Sequence, residues 1–481
     1  MGSPFFDLAI VGGGLAGLAA GLRASELGLR AVVLERGAVS SYLCNSRMSG
    51  GVIHAAYQQV MRPEQELCSA IDKATGGFSN PQQVQAVARD GRQLVRWLQG
   101  HGVQFLTASG YEYHKWTLAP PPQNRPGLQW PGRGGDVMMR RISAGLLASG
   151  GQIHLGMRAR SLQIRGGRCI GLVASAPDGR TVNYQARAVV LADGGFQGNA
   201  ELMRRYITPD PAAIKQRGAG TGMGDGLLMA LDVGAALIHP QAFYGHVLSR
   251  DAMHSDQLWP YPMIDTIATS GIVVDGMGRR FVDEGLGGVF IANAMARVEQ
   301  PLSTFALFDH ATWSGPATQR LVPPNPNLVI GGATIFCQPT LEQVCARAQL
   351  PPATLATVAT YNAALRAGVM PTGQPRRTSS PYLALPLEQA PFYAVPLCAG
   401  ITYTMGGIHI DGDARVLRED GNTVPGLYAA GACTGGLEGG PQTGYIGGLL
   451  KAGVMGLRAA QSIAAEGSAN AEPSLQSLAG A

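Results

Sequence analysis

The sequence predicts an α/β protein built around a nucleotide-binding βαβ unit, and three observations support this fold class. A buried strand, a helix rich in alanine and leucine, and a second buried strand follow one another within residues 5–35. A further apolar strand lies at residues 188–192, and another at 426–431 runs into a glycine turn and a helix. Strands that alternate with helices in this way form parallel sheets. Both ends of the chain therefore show the strand and helix pattern of a parallel sheet.

The first strand leads into the glycine pattern of a dinucleotide site. Gly12 permits a tight turn, Gly14 lets the backbone approach a pyrophosphate, and Gly17 lets the helix pack closely on the strand. Glu35, at the end of the second strand, is placed to accept hydrogen bonds from ribose hydroxyls. The glycine pattern alone is weak in a chain with 67 glycines, but the strand, helix, strand and acid together are specific. We predict a bound dinucleotide.

Composition and charge restrict the partners. Charged residues make up 14% of the 481 residues and hydrophobic residues 46%, which suits two or three domains with large cores. The net charge of +5 is small and no basic run is present, so we expect no nucleic-acid partner. We recognise no membrane span or signal peptide, and the seven cysteines have no metal spacing. The sequence predicts a cytoplasmic protein with reduced thiols and no metal.

Irregular segments and helices follow the βαβ unit. Residues 44–51 are polar and end in glycine, which indicates a loop beside the dinucleotide. Residues 55–103 are predicted to be mostly helical, from apolar spacings of three, four and seven. Residues 111–133 are rich in proline and aromatic side chains and are predicted to be a loop that covers a site.

The later segments give the expected domain order. Short strands at 152–155, 159–164 and 169–173 are expected to form a meander. Residues from about 240 to 380 contain many glycines and prolines and are predicted to form a separate domain. The Ser/Ala/Pro-rich end from Gly467 is expected to be disordered.

Several further blocks accompany the N-terminal fingerprint in a fixed order. They are residues 49–51 (SGG), 190–196 (VLADGGF), 222–226 (GMGDG), 278–284 (GRRFVDE), 403–407 (YTMGG) and 426–431 (GLYAAG). Together they resemble the flavoprotein family of fumarate reductase, succinate dehydrogenase flavoprotein subunit, tricarballylate dehydrogenase and 3-ketosteroid Δ1-dehydrogenase. Residues 400–404 (GITYT) resemble tricarballylate dehydrogenase in particular.

The resemblance implies a domain plan and a type of chemistry. It implies a Rossmann-type FAD-binding domain assembled from residues 1–240 and 381–466, with an inserted, mobile α+β capping domain at 241–380 and a tail at 467–481. Members of the family move a hydride between flavin N5 and one carbon of a C–C bond that a carbonyl or carboxylate activates. A side chain handles the proton at the neighbouring carbon.

The resemblance also implies the FAD contacts. They are Gly12, Gly14, Leu15, Ala16, Gly17, Glu35, Arg36, Asn45, Ser46, Met48, Ser49, Gly50, Gly51, Ala159, Ala192, Gly194, Gly431, Ala432, Gly448, Leu449 and Leu450. In succinate dehydrogenase a histidine six residues before the Gly-Gly pair is bonded covalently to FAD, and Cys44 stands six residues before Gly50. We predict noncovalent FAD, with attachment through Cys44 as the alternative.

Three charged substrate groups of the fumarate reductases are absent from this chain. Tyr403 replaces the histidine before Thr-Met-Gly-Gly, Tyr445 replaces the arginine before the late Gly-Gly pair, and Gly288 replaces the proton-donating arginine. Tyrosine can polarise a ketone, or accept a proton as phenolate when its pKa is lowered. By resemblance to the ketosteroid dehydrogenases, we expect both tyrosines to act on a proton beside a ketone. The alternative is that they pack on the flavin edge.

Four other residues are candidates for the substrate site. His246 can bind an anionic or carbonyl group, and Arg133 and Arg47 can each bind a carboxylate through the arginine fork. Gly448 is expected to contact the substrate as well as FAD. The alternatives are a structural histidine and surface arginines.

These features favour an FAD-dependent oxidoreductase acting on CH–CH bonds over a noncatalytic flavin-binding protein. Loss of the arginine proton donor favours a desaturase acting next to a ketone or carboxylate, as in an alicyclic keto acid such as 4-oxocyclohexanecarboxylate. A reductase of the fumarate or enoate type is the alternative. The expected partners are a small keto or carboxylic acid and an electron acceptor that the sequence does not identify.

Overall fold

The computed structural model describes residues 5–471 except 124, 126 and 128. The strands are β1 Phe5–Val11, β2 Ala31–Glu35, β3 His54–Ala55, β4 Gln58–Gln59, β5 Phe105–Leu106, β6 Thr117–Leu118, β7 Gln152–Leu155, β8 Arg158–Arg165, β9 Arg168–Ser175, β10 Thr181–Leu191, β11 Ile214–Gln216, β12 Leu237–Ile238, β13 Phe243–Ser249, β14 Ile272–Val274, β15 Phe305–Asp309, β16 Phe336–Gln338, β17 Phe392–Thr404, β18 Gly407–His409, β19 Arg415–Leu417, β20 Thr423–Ala429 and β21 Thr434–Gly435.

Helices connect these strands. They are α1 Leu15–Glu26, α2 Glu64–Thr75, α3 Pro81–Gly100, α4 Gly134–Ala148, α5 Ala200–Tyr206, α6 Asp225–Asp232, α7 Asp265–Ser270, α8 Gly288–Met295, α9 His310–Ser314, α10 Pro324–Ile330, α11 Leu341–Arg347, α12 Ala353–Ala367 and α13 Gly448–Ala471.

The main sheet has a parallel core in the order β20-β10-β1-β2-β7. Ile10 in β1 lies between Val190 in β10 and Val33 in β2, and all three side chains are fully buried. Helices α1 and α13 pack against each other beside this sheet, and all five residues of the interior strand β2 are buried. The α/β prediction is confirmed, and β20 brings the late part of the chain into the N-terminal sheet.

The prediction of a meander at residues 152–173 is only partly correct. Strand β7 lies parallel to β2, with His154 opposite Leu34, and forms an edge of the main sheet. The long connection from β2 to β7 ends with helix α4, and a helical crossover of this kind produces a parallel strand. The antiparallel meander consists of β8, β9 and β10 instead.

A second, six-stranded sheet is organised around the 13-residue strand β17. Strands β11, β13, β15 and β16 all pair with β17, and β14 pairs with β15. This sheet includes β11 and β17, which lie outside the proposed capping segment 241–380. The division into domains stays a prediction.

The last helix extends further than expected. Helix α13 ends at Ala471, so Gly467 and the next four residues are helical, whereas the rest of the expected disordered tail, 472–481, lies outside the described residues. Among the described helices, none is long and apolar enough to cross a membrane.

Candidate active site

A cavity of about 1060 Å³ begins at the β1–α1 turn and ends among tyrosine side chains from the second sheet and the late loops. We call it the cofactor cavity. Its lining includes Gly12 and Glu35 at one end and His246, Tyr403 and Tyr445 at the other. The structure therefore brings the predicted dinucleotide residues and the predicted catalytic residues to one continuous space.

The glycine fingerprint shapes the first end of the cofactor cavity. Gly12 has a positive φ of +99°, and a Cβ at this position would lie 2.6 Å from the carbonyl oxygen of Ala192. A Cβ at Gly17 would overlap the carbonyl of Gly12, so helix α1 packs directly on the turn. At Gly14 the nearest atom to such a Cβ is Ser46 Oγ at 3.6 Å, so the space before the helix belongs to the cavity. This is the space that a pyrophosphate requires at a helix N-terminus.

Glu35 is held in place beside the turn. Its carboxylate accepts hydrogen bonds from the amides of Gly13 at 2.8 Å and Gly37 at 2.7 Å. The Tyr42 hydroxyl donates to the Gly13 carbonyl at 2.6 Å and reinforces the same turn. The acid is thus fixed at the cavity wall, where a ribose would lie.

The loop at 44–51 lines the cofactor cavity as predicted. Ser46 Oγ accepts a hydrogen bond from the amide of Leu15 at 3.0 Å, which ties the loop to the start of helix α1. The Asn45 side chain donates to the Thr402 carbonyl at 2.8 Å and accepts from the Ala219 amide at 2.8 Å. Asn45 therefore also fixes the loop against strand β17.

Every predicted FAD contact lines the cofactor cavity except Gly17 and Leu450. Gly17 acts through its packing on Gly12, and Leu450 is fully buried facing Gly91 of helix α3. The open space at Gly14, the fixed acid and the glycine-lined loop fit FAD. The fit rests on the residues that would hold its pyrophosphate and ribose.

A hydrogen-bonded chain of three side chains lies at the other end of the cavity. His246 Nδ1 pairs with the carboxylate of Asp265, and His246 Nε2 lies 3.1 Å from the Tyr244 hydroxyl. Burial lowers the pKa of His246, although Asp265 opposes the shift, so the imidazole is neutral near pH 7. The carboxylate places the proton on Nδ1, which leaves Nε2 to accept from Tyr244. We call Asp265, His246 and Tyr244 the relay.

The tyrosines at this end are protonated hydrogen-bonding groups. Tyr445 stacks on Tyr244, with ring centroids 3.7 Å apart and an interplanar angle of 13°. Burial raises the pKa of Tyr244, Tyr403 and Tyr445 well above the ordinary value of 10. A stable phenolate is therefore unfavourable at any of the three.

The Tyr403 hydroxyl has a hydrogen-bond partner that does not line the cofactor cavity. Its hydroxyl donates to the carboxylate of Glu438 at 3.0 and 3.1 Å. Glu438 is fully buried and also accepts from the amides of Ile446 and Gly447, and Lys451 Nζ lies 3.5 Å away. The Tyr403 proton is thus committed to Glu438, whereas Tyr445 has no such carboxylate partner among the described residues.

The sequence model of the family described as FAD binding domain matches residues 7–445. The chain belongs to this family. FAD is therefore its cofactor, in agreement with the cavity. The resemblance to fumarate reductases and ketosteroid dehydrogenases is likewise confirmed by named relatives and solved structures.

Two relatives and one structure illustrate what this flavoprotein is similar to. It is 24% identical over 461 residues to the NADH:fumarate oxidoreductase of Klebsiella pneumoniae, covering 91% of this chain and 45% of that protein. It is 25% identical over 560 aligned positions to the 4-oxocyclohexanecarboxylate 2-dehydrogenase of Sinomonas cyclohexanicum, covering 96% and 93%. The chain spans less than half the length of the first curated relatives that it matches.

The fold is shared with a steroid enzyme. The structure of 3-ketosteroid Δ1-dehydrogenase from Sterolibacterium denitrificans, in complex with 1,4-androstadiene-3,17-dione, matches with a TM-score of 0.71 and 21% identity. The match covers 96% of this chain and 100% of that chain. At this identity the likeness describes the fold alone.

Gly288, which stands where the resemblance to fumarate reductases implies an arginine, has a structural role in this flavoprotein. Gly288 begins helix α8, and a Cβ at this position would overlap the carboxylate of Asp265. Any larger side chain at Gly288 would displace the acid from His246. The contact between Asp265 and His246 therefore requires glycine at position 288.

The two arginines proposed as carboxylate ligands do not line the cofactor cavity. Arg47 is only 1% exposed and is ion-paired with Asp136, and its Nη2 donates to the Ser40 carbonyl at 3.1 Å. Arg133 precedes helix α4 and also lies outside the lining. The correction has a physical cause, because Asp136 is buried and needs the Arg47 cation. Arg217 and Arg320 are cations that line the cavity instead.

Sequence reasoning did not find Tyr244, Asp265, Glu438 or Arg217. Tyr244 carried a usable signal, since it stands two residues before His246 on a strand and so shares a face with it. Asp265 comes from helix α7, and nothing local marks it as the partner of the histidine. Gly448, predicted to bind both substrate and FAD, lies in the lining.

Cys44 lines the cofactor cavity but is a poor nucleophile. Burial raises the pKa of its thiol to about 11. Attack on a flavin methyl group requires the thiolate, which is scarce at neutral pH under these conditions. This favours noncovalent FAD.

Proposed function

We propose that this protein is an FAD-dependent oxidoreductase of CH–CH bonds that desaturates a small keto acid next to its ketone. One observation carries the proposal: the relay opens into the cavity that holds the dinucleotide fingerprint. FAD, when bound, supplies the hydride acceptor. The protein then has to weaken a C–H bond beside the carbonyl and remove the proton.

The relay provides a route for that proton. The Tyr244 hydroxyl oxygen takes the substrate proton while its own proton passes to His246 Nε2, so a free phenolate never accumulates. The imidazolium formed on His246 is compensated by Asp265, to which Nδ1–H is already bound. Because burial keeps His246 neutral, its Nε2 is available as an acceptor before the reaction.

Tyr445 is the proposed donor to the carbonyl oxygen. Its ring stacks on Tyr244, which holds donor and proton acceptor in a fixed relative position. A hydrogen bond to the developing enolate oxygen lowers the barrier to proton removal. Tyr403 was expected to share this work, but its proton is committed to Glu438. We propose that Tyr403 positions the wall of the site beside Gly448, where a Cβ would lie 3.0 Å from its hydroxyl.

The substrate proposal rests on the relative that acts, by its name, on 4-oxocyclohexanecarboxylate and that this chain matches over nearly the full length of both proteins. The second candidate is reduction of an enoate, which the similarity to an NADH:fumarate oxidoreductase favours. A noncatalytic flavin-binding protein would have no need of a buried Asp–His–Tyr chain.

The test measures both directions with the FAD-loaded protein under anaerobic conditions. Oxidised protein is mixed with 4-oxocyclohexanecarboxylate, cyclohexanone and succinate, and the flavin absorbance is followed. Chemically reduced protein is mixed with fumarate and acrylate. We expect bleaching by the keto acid and little reoxidation by the enoates. Rapid reoxidation by an enoate without any bleaching by the ketones would support the reductase instead.

A further inference from the structure

Arg217 is a buried cation with incomplete hydrogen bonding in the wall of the cofactor cavity. Its Nη1 donates to Thr402 Oγ1 at 2.9 Å, and its Nη2 contacts Met263 Sδ at 3.6 Å. Nε is buried and has no hydrogen-bond partner among the described residues. It forms no ion pair with any described Asp or Glu. A guanidinium has five N–H groups, so several remain for a ligand.

The fold is built to hold this side chain. Arg217 follows strand β11, and its amide donates to the Ile401 carbonyl at 2.7 Å. A Cβ at Gly400 would overlap Arg217 Cδ, so glycine there lets the side chain lie flat across β17. Asn45, which bonds both Thr402 and Ala219, fixes the two backbones on either side of the guanidinium.

The guanidinium lies close to the relay. Its charge acts on Tyr244, whose pKa it lowers against the larger effect of burial, and it also acts on His246 and Asp265. Asp265 forms no ion pair with it, because that carboxylate is bound to His246 and to the Val247 amide at 2.9 Å. Arg320 adds a second positive charge to the same lining. Because His246 is neutral, the two guanidinium charges exceed the single negative charge of Asp265 at this end of the cavity.

We infer that Arg217 is the anchor that binds the carboxylate of the substrate and so makes this site specific for acids over neutral ketones. A carboxylate accepts two parallel N–H groups from an arginine fork and supplies the missing counter-charge. The keto group of the same molecule would then face Tyr445 and the relay. The inference rests on the proposed function only for the presence of that ketone.

The test compares two ligands that differ in charge and lack the ketone, so no turnover is required. Cyclohexanecarboxylate and cyclohexanecarboxamide are titrated into the FAD-loaded protein, and the dissociation constants are measured by calorimetry. We expect the wild type to prefer the carboxylate by about 10- to 100-fold, the range of a charge-assisted pair of hydrogen bonds. Arg217→Met should remove this preference and leave carboxamide binding unchanged.

Three further variants complete the experiment. Arg217→Lys keeps the charge without the fork and should retain part of the preference for the carboxylate. If Arg217→Met loses FAD, the comparison of Arg217→Lys with the wild type provides the test instead. Arg204→Met, at an exposed position on helix α5, is the matched control and should behave as the wild type. Loss of the preference in Arg320→Met but not in Arg217→Met would overturn the inference.

The result is independent of the proposed function. Absence of any carboxylate preference in the wild type would overturn the inference even if ketones bleach the flavin. A preference that depends on Arg217, with no bleaching by keto acids, would support the anchor and refute the desaturase.

Discussion

Replacing Asp265 with asparagine removes the charge of the relay and leaves its shape. Asparagine is the same size, so it fits the space beside Gly288, and its side-chain oxygen can still accept from the Val247 amide. We therefore expect Asp265→Asn to fold and to bind FAD normally. The change acts on His246, because an amide N–H facing Nδ1 favours the tautomer with its proton on Nε2.

The expected loss of activity follows from the charge that develops on His246. When the imidazole accepts a proton, the variant holds a buried cation without its partner, which costs about 3–5 kcal/mol. At about 1.4 kcal/mol for each factor of ten, flavin reduction by the substrate should slow by about 10²- to 10⁴-fold. This agrees with the usual contribution of a general base.

The pH dependence gives a second readout. Flavin reduction requires neutral His246, so in the wild type the rate falls as the pH drops through a His246 pKa that burial places below 6.5. Asp265 raises that pKa, so Asp265→Asn should move the acid limb to lower pH while it lowers the whole profile. Anaerobic stopped-flow measurements of flavin reduction across the acidic range provide the data.

A matched control separates this effect from a general loss of acid side chains. Asp251→Asn changes an aspartate in the short turn Arg250–Met253, none of whose residues lines the cavity, and this variant should reduce its flavin at the wild-type rate. If Asp265→Asn keeps its FAD and also shows the wild-type rate and pH profile, the relay does not carry the proton.

Three more predictions concern the cofactor and the second tyrosine. Gly14→Val should abolish FAD retention, because its side chain enters the space before helix α1, whereas Glu35→Ala should only weaken it; absorbance of the purified variants checks both. Acid denaturation should release the flavin from wild type and Cys44→Ser alike, and colour retained in the wild-type precipitate alone would indicate a covalent bond. Tyr445→Phe should slow flavin reduction by about 10²- to 10⁴-fold. An unchanged rate would show that Tyr445 is not the donor to the carbonyl oxygen.

The fold was predictable because its decisive signals are local. One βαβ unit contains the turn at Gly12, the packing at Gly17 and the acid at Glu35. The geometry of that unit requires each of these residue types. The tyrosines at 403 and 445 were found by comparison with a family pattern, since both stand where charged groups are usual. Their hydroxyl partners were not predictable.

The site residues that sequence reasoning missed depend on contacts between distant segments. Asp265 meets His246 across a strand and a helix, and Arg217 reaches Thr402, which lies 185 positions later. Arg47 was expected at the substrate because it stands in the flavin loop, yet the fold pairs it with Asp136, 89 positions away. A buried charge pairs with the opposite charge that the fold brings close to it, and the spacing of residues in the sequence does not predict that partner. The cytoplasmic location stays a prediction.

A single anaerobic turnover tests the central claim most directly. Oxidised, FAD-loaded protein is mixed with excess 4-oxocyclohexanecarboxylate, the flavin absorbance is recorded, and the acid is recovered for mass spectrometry. The account predicts that the flavin is reduced and that an equal amount of acid is recovered with two hydrogen atoms fewer. Flavin that stays oxidised with this and other cyclic keto acids, while fumarate or acrylate reoxidises the reduced protein, would contradict the account.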